Sequence, residues 1–189
     1  PTGQARPIWV VPDSVSGNEG SQQLLVDWLR QAGVILDDAS MPGPHSIMLL
    51  APMGIDATTA AVRSQLPLDR CMAIDTLIWP SARITLMPTV ATRPEVRDAI
   101  HSMLADRVKV TVVHDSTGFI AQRIVATVVN VACDIAQQRI GSPADIDLAV
   151  HLGLGYPVGP LALGDRIGPI RILTVLEGMH ECTRDPRYR

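Results

Sequence analysis

The spacing of apolar positions changes near residue 114, and that change predicts two units of different architecture. Ahead of it the apolar residues come in short runs, at 8–11, 34–36, 47–50, 71–74, 84–86 and 108–113, separated by clusters of Pro, Gly, Asp and Ser. Runs of this length bounded by turn formers read as strands. Helical spacing appears between them at 21–32 (Leu24, Leu25, Trp28, Leu29), at 56–64 behind Asp56, and at 93–105 with Pro94 in the first turn. The order is β-α-β at the start, but 37–46 is too short for another parallel crossover, which needs about a dozen residues. A shortened parallel-sheet domain is expected.

Past residue 114 the strand runs stop. Ile120, Ile124, Val128, Val131 and Ile135 recur at three- and four-residue spacing, while Arg123, Thr127, Asn130, Asp134 and Gln137 form a narrow polar stripe. Asp115 or Ser116 is the expected cap of this helix. So apolar a helix must be covered on several sides, as the axis of a helical domain or as a seam between protomers. Three more helices are expected: from Ser142-Pro143 to the turn residues Gly153, Gly155 and Pro157, from Gly159-Pro160, and from Pro169 through Ile172, Val175, Leu176 and Met179. The polar tail at 183–189 reads as loose. The predicted fold class is α/β followed by all-α, with domains at 1–114 and 115–189.

Composition narrows the function without naming it. A net charge of −3, with arginine supplying nearly all the positive charge, leaves no basic stripe for nucleic acid. The long apolar helix is too often interrupted by polar groups to span a membrane. Cys71, Cys133 and Cys182 lack zinc-site spacing, and Cys71 and Cys133 lie in apolar runs, so buried free thiols in a reducing cytoplasm are expected. No metal site is predicted. The chain begins with Pro, and the expectation is a fragment of something longer.

A β-α-β start invites a test for dinucleotide binding, which needs G-x-G-x-x-G tight against the first strand and an acid about 20 residues on. The nearest alignment, at 15–20, has Val15 where the first glycine should turn, then Gly17 and Gly20, with Glu19 opposing a pyrophosphate at the helix entrance. Asp37 and Asp38 fall near the ribose position, although acids ending a strand are ordinary turn residues. No cofactor-binding residue is assigned.

The run Asp115-Ser-Thr-Gly118-Phe119-Ile-Ala-Gln122-Arg123, then Ser142-Pro-Ala-Asp-Ile-Asp147, Gly153-Leu-Gly155-Tyr-Pro157, Gly159-Pro160, Asp165, Gly168 and Asp185-Pro-Arg-Tyr188, resembles the C-terminal helical domain of 3-hydroxyacyl-CoA dehydrogenases. The resemblance covers about the last 75 residues. It implies a hydride transfer between NAD and the 3-hydroxyl of an acyl-CoA, with a His oriented by a carboxylate as base. It also implies that residues 1–114 are a reduced Rossmann-like domain, in the C-terminal half of a long form whose two-domain unit occurs twice.

The family's His opens a His-Phe-Phe-Asn-Pro motif, and the corresponding place here is Asp75-Thr-Leu-Ile-Trp79-Pro80. Asp75 replaces the His, the segment 83–88 has no Glu for the orienting acid, and the family's substrate-side Asn is Gln122. No catalytic residue is therefore assigned, and Ser116 and Gln122 are the substrate-facing candidates. A desolvated Asp75 could act as a base, whereas an Asp ending a strand more commonly bonds loop N–H groups. The expected role is architectural, with the upstream catalytic half of the same chain and a homo-oligomer through the helical domain as partners. NAD would bind the full-length enzyme rather than this part. The alternatives are a self-sufficient dehydrogenase with a divergent nucleotide loop, or a free-standing acyl-CoA-binding or dimerisation module.

Overall fold

The computed structural model describes residues 6–12, 21–79 and 81–188. Strands β1 (Ile8–Val10), β2 (Ile47–Leu50), β3 (Cys71–Ile74), β4 (Arg83–Pro88) and β5 (Lys109–Val112) form one sheet in that spatial order. β1, β2 and β3 are parallel, β4 runs antiparallel to β3, and β5 is parallel to β4. The expected strand at 34–36 is reduced to one parallel bridge between Leu36 and Ile8. Ile8 spends its backbone N–H and C=O on Ile35 and Asp37, while Ile47 bonds Pro7, so the bridge lies on the side of β1 away from β2. The sheet departs from the doubly wound order at the antiparallel β4 but keeps it through β3, with its outermost strand missing and the next one vestigial. The short connection at 37–46 is the reason.

Helices cover both faces of the sheet, which is why its central strands are apolar at every position rather than at alternate ones. Helix α1 (Ser21–Gln31) and helix α3 (Pro94–Ala105) pack Leu25, Leu29, Val96, Ile100 and Leu104 against Ile8, Val10, Ile47 and Leu49. Helix α2 (Ala57–Arg63) packs Ala57, Ala60 and Ala61 on the other face, against Met48, Leu50, Cys71 and Ala73. The alternation of Ile47 and Leu49 with Met48 and Leu50 is the period of two that a strand imposes. Each fully buried side chain of this kind contributes roughly 1.5–3 kcal/mol.

The helical part contains α4 (Ile120–Gln137), α5 (Pro143–Leu154), α6 (Pro160–Ile167) and α7 (Pro169–Thr183). α4 starts later than the sequence predicts, and neither Asp115 nor Ser116 caps it: the residue before it is Phe119, with no side-chain cap. Phe119 is fully buried in the core on the α2 face of the sheet, and the helix begins only after that anchor. Asp115 caps α2 instead, accepting from Ala57 N at 2.8 Å and from the Thr58 hydroxyl. Ser142 caps α5 as expected, through Asp145 N, and Gly155 ends it in the left-handed region at φ 70°. Asp147 caps α6 from the neighbouring helix, accepting from Leu161 N and Ala162 N.

Two further expectations are corrected. The tail is not loose, because Pro186–Tyr188 forms a 3-10 turn that buries Tyr188 among residues of α4 and α7. Of the cysteines only Cys71 is buried, and burial pushes its thiol up to about 12; Cys133 and Cys182 are exposed. Among the described residues no helix is long and apolar enough to cross a membrane, and no group of three metal-ligating side chains gathers. α4 turns Ala126, Val129 and Ala132 inward and leaves Ile120, Ile124 and Val131 more than half exposed on the opposite side.

Candidate functional site

In open α/β sheets ligands bind in the crevice beyond the carboxyl ends of the strands. Beyond β2 and β3 that space is filled by the helical part. Met53, which follows β2, and Leu77, which follows β3, are buried in one cluster with Ala126, Val129, Val175 and Met179 of α4 and α7. The approach is close enough to require glycine on both sides. Gly54 has φ 71°, and a Cβ there would stand 2.3 Å from the Val175 carbonyl oxygen; one on Gly178 would stand 2.9 Å from the Met53 carbonyl oxygen.

Gln122 lies inside this joint with no exposed surface. Its Oε1 accepts from Gly54 N at 2.9 Å, and its Nε2 donates to Pro52 O at 3.0 Å and to Asp75 Oδ1 at 3.1 Å. A group that accepts from an N–H while donating to a carbonyl and a carboxylate must be an amide. Asp75 Oδ1 also accepts from Leu77 N at 3.0 Å. Arg171, at the start of α7, donates from Nη2 to Thr76 O at 2.7 Å. Burial raises the Asp75 carboxyl above its ordinary value, against the Leu77 N–H, the Gln122 amide and the Arg171 charge, which pull it down. Burial likewise lowers the Arg171 guanidinium, and Asp75 partly restores it.

Asp75 and Gln122, the two positions that the sequence singled out, are therefore bonded to each other. Ser116 stays exposed while Gln122 is sealed, so the two substrate-facing candidates do not share a surface. Arg171 was missed by sequence reading, and its surroundings offer no signal for it. Gly178 did carry one, since a glycine inside a helix costs about 1 kcal/mol against alanine and marks close packing.

At the described part of the nucleotide position the two acids are already engaged within the chain. Asp37 turns its carboxylate to the Ser46 hydroxyl, Gly43 N and Ala39 N, which hold it below its ordinary pKa, and Asp38 is ion-paired with Arg30 at 2.8 Å. Trp9 Nε1 donates to Ala39 O at 3.0 Å, tying down the same loop. Val15, Gly17, Glu19 and Gly20 lie outside the described residues.

Comparison with known proteins gives this geometry its context. A family profile described as 3-hydroxyacyl-CoA dehydrogenase, C-terminal domain, matches residues 118–189. The 3-hydroxyadipyl-CoA dehydrogenase of Escherichia coli (strain K12) is 32% identical over 145 residues, 76% of this chain and 29% of that protein. A crystal structure of 3-hydroxybutyryl-CoA dehydrogenase from Escherichia coli K12 superposes with a TM-score of 0.65 at 32% identity, over 75% of this chain and 29% of the other. The (S)-3-hydroxybutyryl-CoA dehydrogenase of Ralstonia eutropha superposes with a TM-score of 0.68 at 25% identity, over 94% of this chain and 64% of the other. The chain spans about a third or less of the first curated relatives it matches. Residues 118–189 thus match the C-terminal domain of the 3-hydroxyacyl-CoA dehydrogenases, and the chain as a whole is similar in sequence and fold to proteins of that name, with a shortened Rossmann-like sheet ahead of the matched domain.

Proposed function

We propose that this chain is the C-terminal part of an NAD-dependent 3-hydroxyacyl-CoA dehydrogenase of acyl-CoA catabolism, divided at residues 114 and 115, and that its own contribution is structural. The observation that carries this reading is the pair at the joint: Asp75, in the place of the family's His, is bonded to Gln122, in the place of its Asn. A carboxyl oxygen that already accepts two hydrogen bonds, one from the amide beside it, is poorly placed to take a proton from a substrate hydroxyl. No catalytic residue is assigned to the chain, and Ser116 is the exposed substrate-side candidate. NAD would bind in an upstream half, where the chemistry would be done.

The apolar stripe Ile120, Ile124 and Val131 supports association of the helical domain, either with a second copy or with an upstream helical domain of the same chain. The exposed free thiols Cys133 and Cys182 suit a reducing cytoplasm. The test is turnover of acetoacetyl-CoA with NADH by the 189-residue chain and by a longer chain carrying the upstream half. Activity in the longer chain alone is expected. Turnover by the short chain, abolished by Asp75→Asn, would overturn the reading.

A further inference from the structure

We propose that Gln122 is a latch that fixes the helical part to the sheet, so that the cleft between them is a rigid joint rather than a ligand-admitting crevice. The inference deepens the structural role proposed above and rests on it. It starts from the chemistry of one side chain. Gln122 belongs to α4, whereas all three of its partners, Gly54 N, Pro52 O and Asp75 Oδ1, belong to loops at the ends of β2 and β3. One helical residue therefore ties two strand ends at once. The family's shorter Asn lacks one methylene of that reach.

Three further contacts cross the same joint. Arg171 of α7 donates to Thr76 O, Gly118 N lies 3.4 Å from Ile55 O, and the Asp115 carboxylate caps α2. Met53 and Leu77 exclude water around them, being 5% and 1% exposed. Opening the joint would strip the Asp75 carboxylate and the Gln122 amide of their mutual bond and expose the apolar cluster. A hinge that opened for an acyl-CoA would have to break all of this together, and so the parts are expected to unfold together.

The chain carries its own probes for this. Trp9, Trp28 and Trp79, its three tryptophans, all precede residue 114, so their fluorescence reports the sheet part, while circular dichroism is dominated by the helices, the longest of which is α4. In the 189-residue chain the thermal transitions followed by the two signals should coincide. Gln122→Met keeps the side-chain length and deletes every polar bond, and it should lower the transition by about 5–10 °C and separate the two signals. Gln122→Glu keeps only the acceptor and sets a second carboxylate beside Asp75; it should separate them further. Two transitions already separate in the unaltered chain, or coincident and unshifted transitions in Gln122→Met, would overturn the latch. If Gln122→Met does not fold, the unaltered chain decides by its own coincidence. Acetoacetyl-CoA binding by the unaltered chain, read by calorimetry, would overturn both the rigid joint and the structural role. Separated transitions without binding would overturn the latch alone.

Discussion

Gln122 Nε2 lies 3.1 Å from Asp75 Oδ1, so a side chain in the first turn of α4 is hydrogen-bonded to the one that follows β3 and closes the joint between helices and sheet. The nearby guanidinium of Arg171 makes the joint an amide, a carboxylate and a cation held in largely desolvated surroundings. Breaking one member of such a set costs more than the set contributes, because the others are left buried and unpaired.

The Asp75 carboxyl is raised in the fold by burial, so the folded state holds its proton more tightly than the unfolded chain does. The stability this gives is complete below the unfolded value and is lost as the pH climbs through the raised folded value. Asp37 and Asp185, whose carboxyls are lowered, act in the opposite direction, and the difference between variants isolates Asp75. Asp75→Asn should therefore become more stable relative to the unaltered chain as the pH rises from about 4 to about 7. Urea midpoints across that range check it; a difference that does not change with pH removes Asp75 from the account.

Gly54→Ala should be among the most damaging single changes in the chain. It would place a Cβ 2.3 Å from the Val175 carbonyl oxygen on a backbone at φ 71°. Left-handed strain and overpacking together cost about 3 kcal/mol. For a chain of this size the expected fall in Tm is roughly 6–12 °C. A Tm unchanged by more than about 2 °C would mean that α7 is free to move off the loop.

Ile124→Glu should leave the fold intact and abolish association, because Ile124 is 54% exposed on the outer stripe of α4. Val129→Glu, on the inner face and 5% exposed, should prevent folding, since an unpaired buried carboxylate costs several kcal/mol or more. Val128, at half-helix depth between the two faces, mixes the two effects and is the less informative site. Light scattering of the unaltered chain and of Ile124→Glu reads the outcome. A monomer in both at high concentration would end the seam interpretation.

NADH titrated against the 189-residue chain should give no saturable change in nucleotide fluorescence at micromolar concentrations. The grounds are the occupied Asp37 carboxylate, the Arg30–Asp38 pair and the missing first glycine at Val15. Saturation would show that the segment around Val15 builds a phosphate site by other means.

Much of the fold was legible because the signals were local. The caps Asp56 and Ser142, the prolines that open α3, α5, α6 and α7, and the left-handed Gly155 all act within a few residues of themselves. The short connection at 37–46 was legible for the same reason, since chain length alone forbids a crossover. Asp115 misled because its partner, the N-terminus of α2, is 58 residues away in sequence. Tyr188 misled because a polar tail can still bury one aromatic ring. Asp75 and Gln122 could each be singled out in the sequence, but their bond spans 47 residues. That the two side chains meet was invisible until the loops were placed.

The sheet's outer strand carries a separate consequence. β5 pairs only with β4 among the described residues, and its other edge presents unpaired backbone groups. Lys109, the chain's single lysine, stands at the start of that edge and is exposed. A charged ammonium is a deterrent to strand addition by a second molecule, because pairing would have to strip its water. The same position gives the side chains of this arginine-rich protein just one primary amine. Acetylating or labelling that amine would remove the deterrent charge and mark the edge in one step, so solubility and label position would be read from the same sample.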